Sequence, residues 1–571
     1  MFICMDDIVR FVLCTGPVND DGQPQASKVL MVLAVGITGH WRMPLAYCLT
    51  DGADANLQQS LITTVITKLW ESSCLSISVT MDGLAANQKT LQLLGCSLDP
   101  DHMKSVFPHP VDSNIKIAAI FDPCHMLKLA RNCLYEYKVL SVPGTGSVKW
   151  EHITNLHQKQ LNEGLSLANK LSKSHIEFQT QKMKVKLAVQ VISASCASAL
   201  QFLRESGVNE FADSLPTEVF LRRLDKLFDY LNCRSVYGKG YKSPISQSNI
   251  LARINFLRET KEFLLKLQDS SGKQLFRTRR KMFVIGLCIT IDSVIYLSEQ
   301  LILGDGLNGT KLKYMLTYKL SQDHIEIMFS VIRQRGGWSN NPTALQFKAA
   351  YRAVLSHVKV VPSAASNCIT GLADDILVDG TDDEDTLFAE PTVDACASLP
   401  LLSVYIENVS SYIAGFVVRR LLPKLKCSEC RELLVDPTNI FSSCCAFLLL
   451  RDNGGLIVPS AGVVSVVHLT ERHLRSLVPQ DKTSVHTLSR LGIKLELAVL
   501  NDIDCSNVFG STTHHTDTAE GIDNHVSSLV RQLVRFYLDI RIFHIARLWN
   551  MEQKGRVIRQ SMTKLILFKN Q

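Results

Sequence analysis

The sequence lacks an uninterrupted apolar run long enough to cross a membrane. The longest apolar segments cover residues 29–37 and 282–297, and the second contains Asp292. A membrane-spanning helix needs about 20 consecutive apolar residues. A secretory signal is also missing near the start, where charged residues interrupt the apolar ones. We therefore expect an intracellular protein with no membrane partner.

A framework of closely spaced cysteines is also absent. The 17 cysteines, an odd number, are scattered over 571 residues, which argues against a disulfide-stapled secreted domain. One pair, Cys427 and Cys430, has the CxxC spacing of half a zinc site. We expect His525 and His544 to complete a Cys2His2 site, with rival ligands Cys444, Cys445, His514 and His515. The alternative is that both thiols are simple core residues.

Basic residues are missing from one segment. Residues 371–395 contain nine acidic side chains and no Lys or Arg. The whole chain has a net charge of +7, but the 61 basic and 45 acidic residues outside this segment give +16. A basic body is compatible with a polyanionic partner such as DNA. Charge alone favours a simpler explanation, a solvated surface with an acidic linker.

The first 145 residues have an α/β pattern. Apolar runs at residues 28–37 and 41–49 flank a turn and predict a β-hairpin. A helical pattern follows at 56–70, and two further strands are predicted to end directly at Asp82 and Asp122. From about residue 150 to 320 the pattern changes to long amphipathic helices, such as 182–203 and 218–231.

Three acidic residues could carry metal chemistry. Asp82 follows a strand, where loops commonly place functional side chains, and Asp323 and Glu326 are three residues apart on a predicted helix. Carboxylates that converge from separate elements can hold Mg²⁺, a hard ion that prefers oxygen ligands. On spacing alone, a turn at Asp82 and a solvated helix face are the more common explanations.

Longer motifs containing these residues resemble one family. They are LSQDHIEIMFSVIRQRGGWSNNPTALQF (320–347), VTMDGLAANQ (79–88), FDPCHMLKLARN (121–132), KMKVKLAVQVISASCASAL (182–200) and YIAGFVVRRLLPKLKCSECRELLV (412–435). In this order they resemble the P-element-type DNA transposases and their THAP-domain-containing relatives, over most of the chain. The resemblance implies an RNase H-like catalytic fold split by a helical insertion domain that binds GTP.

The resemblance also implies roles for individual residues. It makes Asp82 the second catalytic acid and Glu326 the last, and it places Asp323 near the site or the nucleotide. In the insertion, Asp229 and Asn232 match a Phe-Asp-x-x-Asn element whose Asp and Asn contact guanine. No GxxxxGK[ST] segment occurs, so this nucleotide site is not a P-loop. Read without the family, Asp229 and Asn232 are part of a helix face and its end.

Two parts of the family pattern are not found. The first catalytic Asp of the family lies on the opening strand, which we expect to lie before Met1, with Asp6 and Asp7 as the only early substitutes. The N-terminal THAP zinc finger is also not found. We therefore expect a truncated or domesticated derivative.

Together these observations predict an α/β RNase H-like core interrupted by an all-α insertion domain, with a mainly α C-terminal domain. The predicted segments are the first part of the core (1–145), the GTP-binding insertion (146–315), the second part of the core (316–370), an acidic linker (371–400) and the C-terminal domain (401–571).

The predicted function is Mg²⁺- or Mn²⁺-dependent DNA cleavage and strand transfer with GTP as cofactor. We expect the protein to act in the nucleus on transposon ends and target DNA, as a homo-oligomer. Phosphate contacts would come from the basic residues near the motifs: Lys128, Arg131, Arg333, Arg335, Arg419, Arg420, Lys424 and Lys426. The alternative is a catalytically inactive, transposase-derived nuclear protein that binds DNA or other proteins.

Overall fold

The central sheet of the computed structural model has six strands in the order β3-β2-β1-β4-β6-β5. They are β1 (Phe2–Asp7), β2 (Lys28–Val35), β3 (Arg42–Thr50), β4 (Ser78–Met81), β5 (Val106–Pro108) and β6 (Lys116–Phe121). The pairs β1–β2, β2–β3 and β5–β6 are antiparallel, whereas β1–β4 and β4–β6 are parallel. The predicted hairpin of β2 and β3 is confirmed.

The structure describes residues 2–7, 26–39, 41–52, 54–306, 311–335, 342–356, 399–436, 443–477, 488–503, 508–509, 515–518 and 521–568. The chain divides into two compact units. The first contains Met1–Thr154, Lys170–Ala197 and Asp213–Val378, and the second contains Asn155–Asn169, Ser198–Ala212 and Asp379–Gln571. Nearly all of the predicted acidic linker lies outside the described residues.

Strand β1 corrects the expectation that the opening strand lies before Met1. Phe2–Asp7 occupies the centre of the sheet, antiparallel to β2 and parallel to β4. The sequence analysis did not predict this strand, because six residues are too few to establish an alternating pattern of apolar and polar residues.

Helices cover the sheet and build the insertion. Up to residue 356 they are α1 (Ala55–Glu71), α2 (Ala85–Leu94), α3 (Pro123–Tyr137), α4 (Glu151–Glu163), α5 (Lys173–Ile176), α6 (Val185–Val191), α7 (Ala194–Glu205), α8 (Leu215–Leu231), α9 (Ile250–Lys266), α10 (Met282–Ser298), α11 (Asp323–Arg335) and α12 (Ala344–Ser356). Alternate residues of β2, including Val29 and Met31, form a buried cluster with Ile325 and Met328 of α11. This packing holds α11 on one face of the sheet.

The prediction of an all-α insertion is not confirmed. The region includes the short strands β8 (Gly146–Lys149), β9 (Ile245–Ser246), β10 (Gln268–Asp269) and β11 (Tyr314–Met315), and β7 (Val139–Val142) lies just before it. They form a β10-β7-β8 sheet and a β11-β9 ladder. Strands of two to four residues are too short to give an alternating pattern that a sequence can reveal. The hairpin of β7 and β8 also spans the predicted domain boundary at residue 145.

Helix α10 belongs to the core although the sequence places it in the insertion. It packs on β6 and α3, and Thr290 Oγ1 lies 3.0 Å from Phe121 N and 2.9 Å from Phe121 O. By length and composition alone, Val185–Glu205 and Met282–Leu303 could cross a membrane, but both are mostly buried inside the protein. Burial within a globular core explains an apolar helix without a membrane.

The C-terminal unit is mainly helical, as predicted. Its elements are α13 (Val404–Leu421), α14 (Ser428–Glu432), α15 (Ala446–Arg451), α16 (Ala461–Leu477), α17 (Leu488–Asp502), β12 (His515–Thr518), β13 (Gly521–Asn524) and α18 (His525–Phe568). Apolar residues of α13, α16, α17 and α18 form one core. Inside this unit, buried Glu471 accepts hydrogen bonds from Tyr537 (2.8 Å) and Arg541 (2.9 Å).

Candidate active site

Two acidic residues meet at one edge of the central sheet. Strands β4 and β6 are parallel and in register from Ser78–Ala118 to Met81–Phe121. Asp82 and Asp122 directly follow these strands, so the two positions are neighbours at the carboxyl ends of the strands. Ligand sites of α/β sheets commonly lie at this edge.

Asp122 joins three elements at this edge. One carboxylate oxygen accepts the backbone N–H of His125 (2.8 Å) and caps α3, and the other accepts that of Gln322 (2.9 Å), just before α11. Burial, together with the carboxylates of Asp323 and Glu326, raises the pKa of Asp122 to about 7. The side chain therefore positions the start of α11. Its pKa depends on the charges of Asp323 and Glu326 on that helix.

Asp82 is oriented by its own loop. Its Oδ1 accepts hydrogen bonds from Leu84 N (2.9 Å) and from Asn87 Nδ2 (2.7 Å). Burial raises the pKa of Asp82, while these two donors and the Lys128 ammonium oppose the shift. The Asp-Gly segment is therefore more than a surface turn, because it fixes a partly desolvated carboxylate.

Helix α11 supplies the other two predicted acids. Asp323 is buried and pairs with the Arg234 guanidinium, and its Oδ1 lies 3.7 Å from Cys124 Sγ. Burial raises the pKa of Asp323, and Arg234 opposes that shift. Glu326 is half-buried and close enough to raise the pKa of Asp122. The structure thus brings Asp82, Asp323 and Glu326 to one region, with Asp122 among them.

Lys128 carries the positive charge among these carboxylates, whereas the sequence analysis predicted it only as a phosphate contact to DNA. Its side chain is buried, and burial lowers its pKa while Glu326, Asp122 and Asp82 raise it. The ammonium also lies 3.4 Å from His125 Nδ1. The sequence could not reveal this role of Lys128, because it depends on the fold, which places α3 next to three carboxylates.

A segment of the insertion borders the same helix. Arg131, also offered as a DNA contact, is fully buried; its Nη2 donates to Lys182 O (3.1 Å), and its guanidinium lies over the Phe178 ring. Lys128 Nζ lies 3.8 Å from Met183 Sδ. The side chains of Lys182, Lys184 and Lys186 are exposed. Arg131 therefore positions the lysine segment beside α3.

Arg234 links the predicted nucleotide residues to the acids of α11. Asn232 follows α8, and its Oδ1 accepts from Arg234 Nε (3.2 Å), while Arg234 Nη2 pairs with Asp323. Asp229, one turn earlier, lies 3.7 Å from Lys242 Nζ; burial raises the pKa of Asp229, and Lys242 opposes the shift. Sequence reasoning missed Arg234, although a charged residue two positions after the Phe-Asp-x-x-Asn element was a usable signal.

The donor atoms at the sheet edge fit a hard divalent cation. Asp82, Asp122 and Glu326 are carboxylates grouped in partly or fully buried positions around one ammonium. Buried carboxylates need positive charge nearby, and an oxygen-only donor set suits Mg²⁺ or Mn²⁺.

The predicted zinc ligands divide into two groups. Cys427, Cys430 and His525 each place one ligand atom within 4.8 Å of the others. His544 does not join them, which corrects the predicted Cys2His2 set. His525 and His544 belong to the continuous helix α18, where 19 residues span about 28 Å at 1.5 Å per residue.

Four family models match parts of this chain. They are described as "TNP-like, RNase H N-terminal domain" (residues 8–95), "TNP-like, GTP-binding insertion domain" (124–244), "TNP-like, RNase H C-terminal domain" (318–352) and "DNA transposase THAP9, C-terminal domain" (401–547). Their order follows the order of the predicted segments.

Known proteins are similar over much of the chain. Human DNA transposase THAP9 is 28% identical over 93% of this chain and 60% of its own length. The Drosophila melanogaster transposable element P transposase is 27% identical over 57% of this chain and 40% of its own length. The chain therefore spans 60% or less of these relatives.

A solved structure shares the fold. The Drosophila P element transposase strand transfer complex contains a chain that matches with a TM-score of 0.52 and 23% identity, over 62% of this chain and 75% of that one. With the matched family models, this similarity supports RNase H-like domains and a helical C-terminal region.

Proposed function

This chain is a member of the family of P-element-type transposases and their THAP9 relatives, and we propose that it cuts and joins DNA with a divalent cation and GTP. The observation that carries the proposal is the meeting of Asp82, Asp122 and Glu326 at the carboxyl edge of the central sheet. The proposal includes action in the nucleus on transposon ends and target DNA, as a homo-oligomer.

Asp82 and Glu326 are the proposed metal ligands, joined by Asp6 from β1. Strand β1 runs parallel to β4, so its carboxyl end lies at the same edge as Asp82. In the antiparallel register Asp6 pairs with Val29 of β2, whereas Asp7 pairs with Lys28. When bound, a pair of Mg²⁺ ions would activate the attacking oxygen and stabilise the leaving one.

Other residues of the chain hold this arrangement in place. Asp122 fixes the beginning of α11 through the Gln322 N–H, and Asn87 orients Asp82. Lys128 balances the negative charge of the carboxylates. Preorganised charges of this kind stabilise charge that develops during reaction without further rearrangement.

GTP is the proposed nucleotide, read by Asp229 and Asn232. The matched GTP-binding insertion domain covers both residues. A carboxylate can accept hydrogen bonds from the two N–H groups on the guanine edge, which gives specificity for that base. Through Arg234, Asn232 connects to Asp323 at the start of α11, so the nucleotide would stabilise the position of the helix that carries Glu326.

Nicking of supercoiled plasmid DNA tests the metal and nucleotide parts of this proposal. With Mg²⁺ or Mn²⁺ and GTP, we expect Asp82→Ala, Glu326→Ala and Asp6→Asn to reduce nicking by at least about 100-fold, because each removes charge that acts on the reacting phosphate. The exposed control Asp101→Asn should keep full activity. Equal nicking by Asp82→Ala, Glu326→Ala and the unchanged protein would refute the site.

A nucleotide-specificity switch provides the second arm of this test. With fluorescent analogues, Asp229→Asn should lose affinity for GTP and gain affinity for xanthosine triphosphate, because an amide can donate to the xanthine carbonyl. The control is Asp292→Asn, which weakens the ion pair between Asp292 of α10 and Lys261 of α9. An unchanged preference for GTP in Asp229→Asn would exclude Asp229 as the guanine reader.

The alternative function has its own outcome in the nicking assay. A protein that binds DNA but gives no nicking with either metal, with GTP present, would be a catalytically inactive DNA-binding or interaction protein of the same family. The presence of β1, with Asp6 at the active edge, favours the enzyme.

A further inference from the structure

We propose that Cys427, Cys430 and His525 bind a structural zinc ion in the C-terminal unit. This site is separate from the acids of the central sheet and does not depend on the proposed reaction. Thiolate sulfur and imidazole nitrogen are the donors of structural zinc sites, which are tetrahedral and have four protein ligands.

The geometry of the three side chains suits zinc. Their ligand atoms lie within 4.8 Å of one another, and Cys430 Sγ is 3.9 Å from His525 Nδ1. Tetrahedral zinc with ordinary bond lengths requires about 3.6 Å between such sulfur and nitrogen atoms. A movement of a few tenths of an ångström therefore brings these atoms to binding distance.

Local structure explains why these residues are already together. Cys427 is the N-cap of the short helix α14, and Cys430 lies within that helix. His525 is the first residue of α18. Cys430 shares the apolar core of the unit with Val526 and Leu529 of α18. Packing of α14 against α18 thus presents two thiols to one imidazole from almost 100 residues away in sequence.

The other candidate ligands lie apart from this cluster. His544 lies 19 residues further along the continuous helix α18 than His525. Cys444 and Cys445 are not part of the described cluster.

A redox role for the CxxC pair is the main competing explanation. Two thiols alone could form a reversible disulfide. The third residue distinguishes the two cases, because an imidazole nitrogen beside both sulfurs completes a metal donor set. A zinc ion here would join the segment after α13 to the beginning of α18, and metal-binding energy of this kind contributes directly to folding.

Metal analysis of the purified full-length chain tests the site. We expect about one zinc per chain by mass spectrometry, with loss of the zinc in Cys430→Ser and His525→Ala. After replacement by Co²⁺, the unchanged protein should show strong thiolate-to-cobalt absorption. Cys427→His retains a ligand, so it should still bind Co²⁺, with roughly half of that absorption because one thiolate remains.

Controls separate the site from a general effect on folding. His544→Ala and Cys444→Ser should keep the zinc, and far-ultraviolet circular dichroism should show helical content unchanged in Cys427→His. A protein that contains no zinc and takes up no Co²⁺ would overturn the proposal, as would full zinc content in His525→Ala.

Discussion

At the scale of single residues, Asp122 shows how burial and neighbouring charge act on one side chain. It directly follows β6, caps α3 and accepts a hydrogen bond from the backbone N–H of Gln322, just before α11. These contacts require a carboxylate with two accepting oxygens, yet burial and two nearby acids raise its pKa to about 7. The residue therefore combines a positional role with a proton equilibrium near neutral pH.

The raised pKa of Asp122 predicts a specific pH dependence of stability. Between about pH 4 and 7 the folded protein keeps a proton that the unfolded chain has released, so this contribution to stability falls as pH rises and is constant above about 7. Asp122→Asn should reduce the slope of unfolding free energy against pH by up to about 1.4 kcal/mol per pH unit in this window. Urea unfolding at several pH values measures the slope.

The amide in Asp122→Asn accepts through one oxygen only, so we also expect a uniform loss of about 1 kcal/mol at all pH values. Asp101→Asn, an exposed substitution, should change neither quantity. An unaltered slope in Asp122→Asn would show that Asp122 does not titrate in this range.

At the scale of elements, Lys319 connects the β2–β3 turn to the beginning of α11. It is buried in the short turn Thr317–Leu320, immediately before α11. Its ammonium donates to the carbonyl oxygens of Gly36 (3.0 Å), Ile37 (2.9 Å) and Gly39 (2.6 Å). Three carbonyl dipoles thus hold one charge and fix two segments that are far apart in sequence.

We expect Lys319→Met to destabilise the first unit by about 1–3 kcal/mol, because three buried carbonyl groups lose their donor. Trp41 lies against Gly36 and Gly39, so its fluorescence should report a loosened turn before global unfolding. Lys313→Met, an exposed substitution in the preceding segment, should stay within about 0.5 kcal/mol of the unchanged protein. Equal stability of the two variants would contradict this role of Lys319.

The element scale also shows where helical periodicity misleads. The pattern over residues 182–203 predicts one helix, but the structure has α6 and α7 with a break between them. Ser193 lies at the break, and its Oγ accepts the backbone N–H of Cys196 (3.3 Å). Serine at this position caps a new helix, which is a signal that apolar spacing alone does not detect.

At the scale of the whole molecule, charge is the property most relevant to the proposed DNA binding. Burial removes Lys128 and Arg131 from the basic residues that the sequence offered as phosphate contacts. Arg419 and Arg420, at the end of α13, are exposed. Exposed cations bind phosphate by releasing counterions, so the resulting affinity depends on salt and carries little sequence information.

We expect DNA affinity to fall steeply with salt. Contact with about four phosphates would weaken binding roughly 100-fold between 50 and 200 mM salt. Replacing both Arg419 and Arg420 by Ala should reduce the slope of log affinity against log salt by about two. Fluorescence anisotropy with a labelled duplex measures both effects.

Lys68→Ala, on the exposed side of α1 beside Glu71, is the control for this experiment and should leave the slope unchanged. A slope near zero for the unchanged protein would rule out phosphate-dominated binding.

The sequence by itself determined what local patterns can encode. Alternating and helical apolar spacing placed β2, β3 and the acids that follow β4 and β6, and residue spacing placed Asp323 and Glu326 on one helix. Family motifs carried the assignment further, to the insertion and the C-terminal region. These features depend on neighbours within a few residues, and such neighbours are visible in one dimension.

Tertiary structure alone decided which distant groups meet. It placed β1 at the centre of the sheet, buried Lys128 among three carboxylates and paired Arg234 with Asp323. It also selected His525 over His544, because one continuous helix separates two histidines that look equivalent in sequence. The physical reason is common to these cases, since the charge and burial of a side chain depend on elements that the chain brings together only by folding.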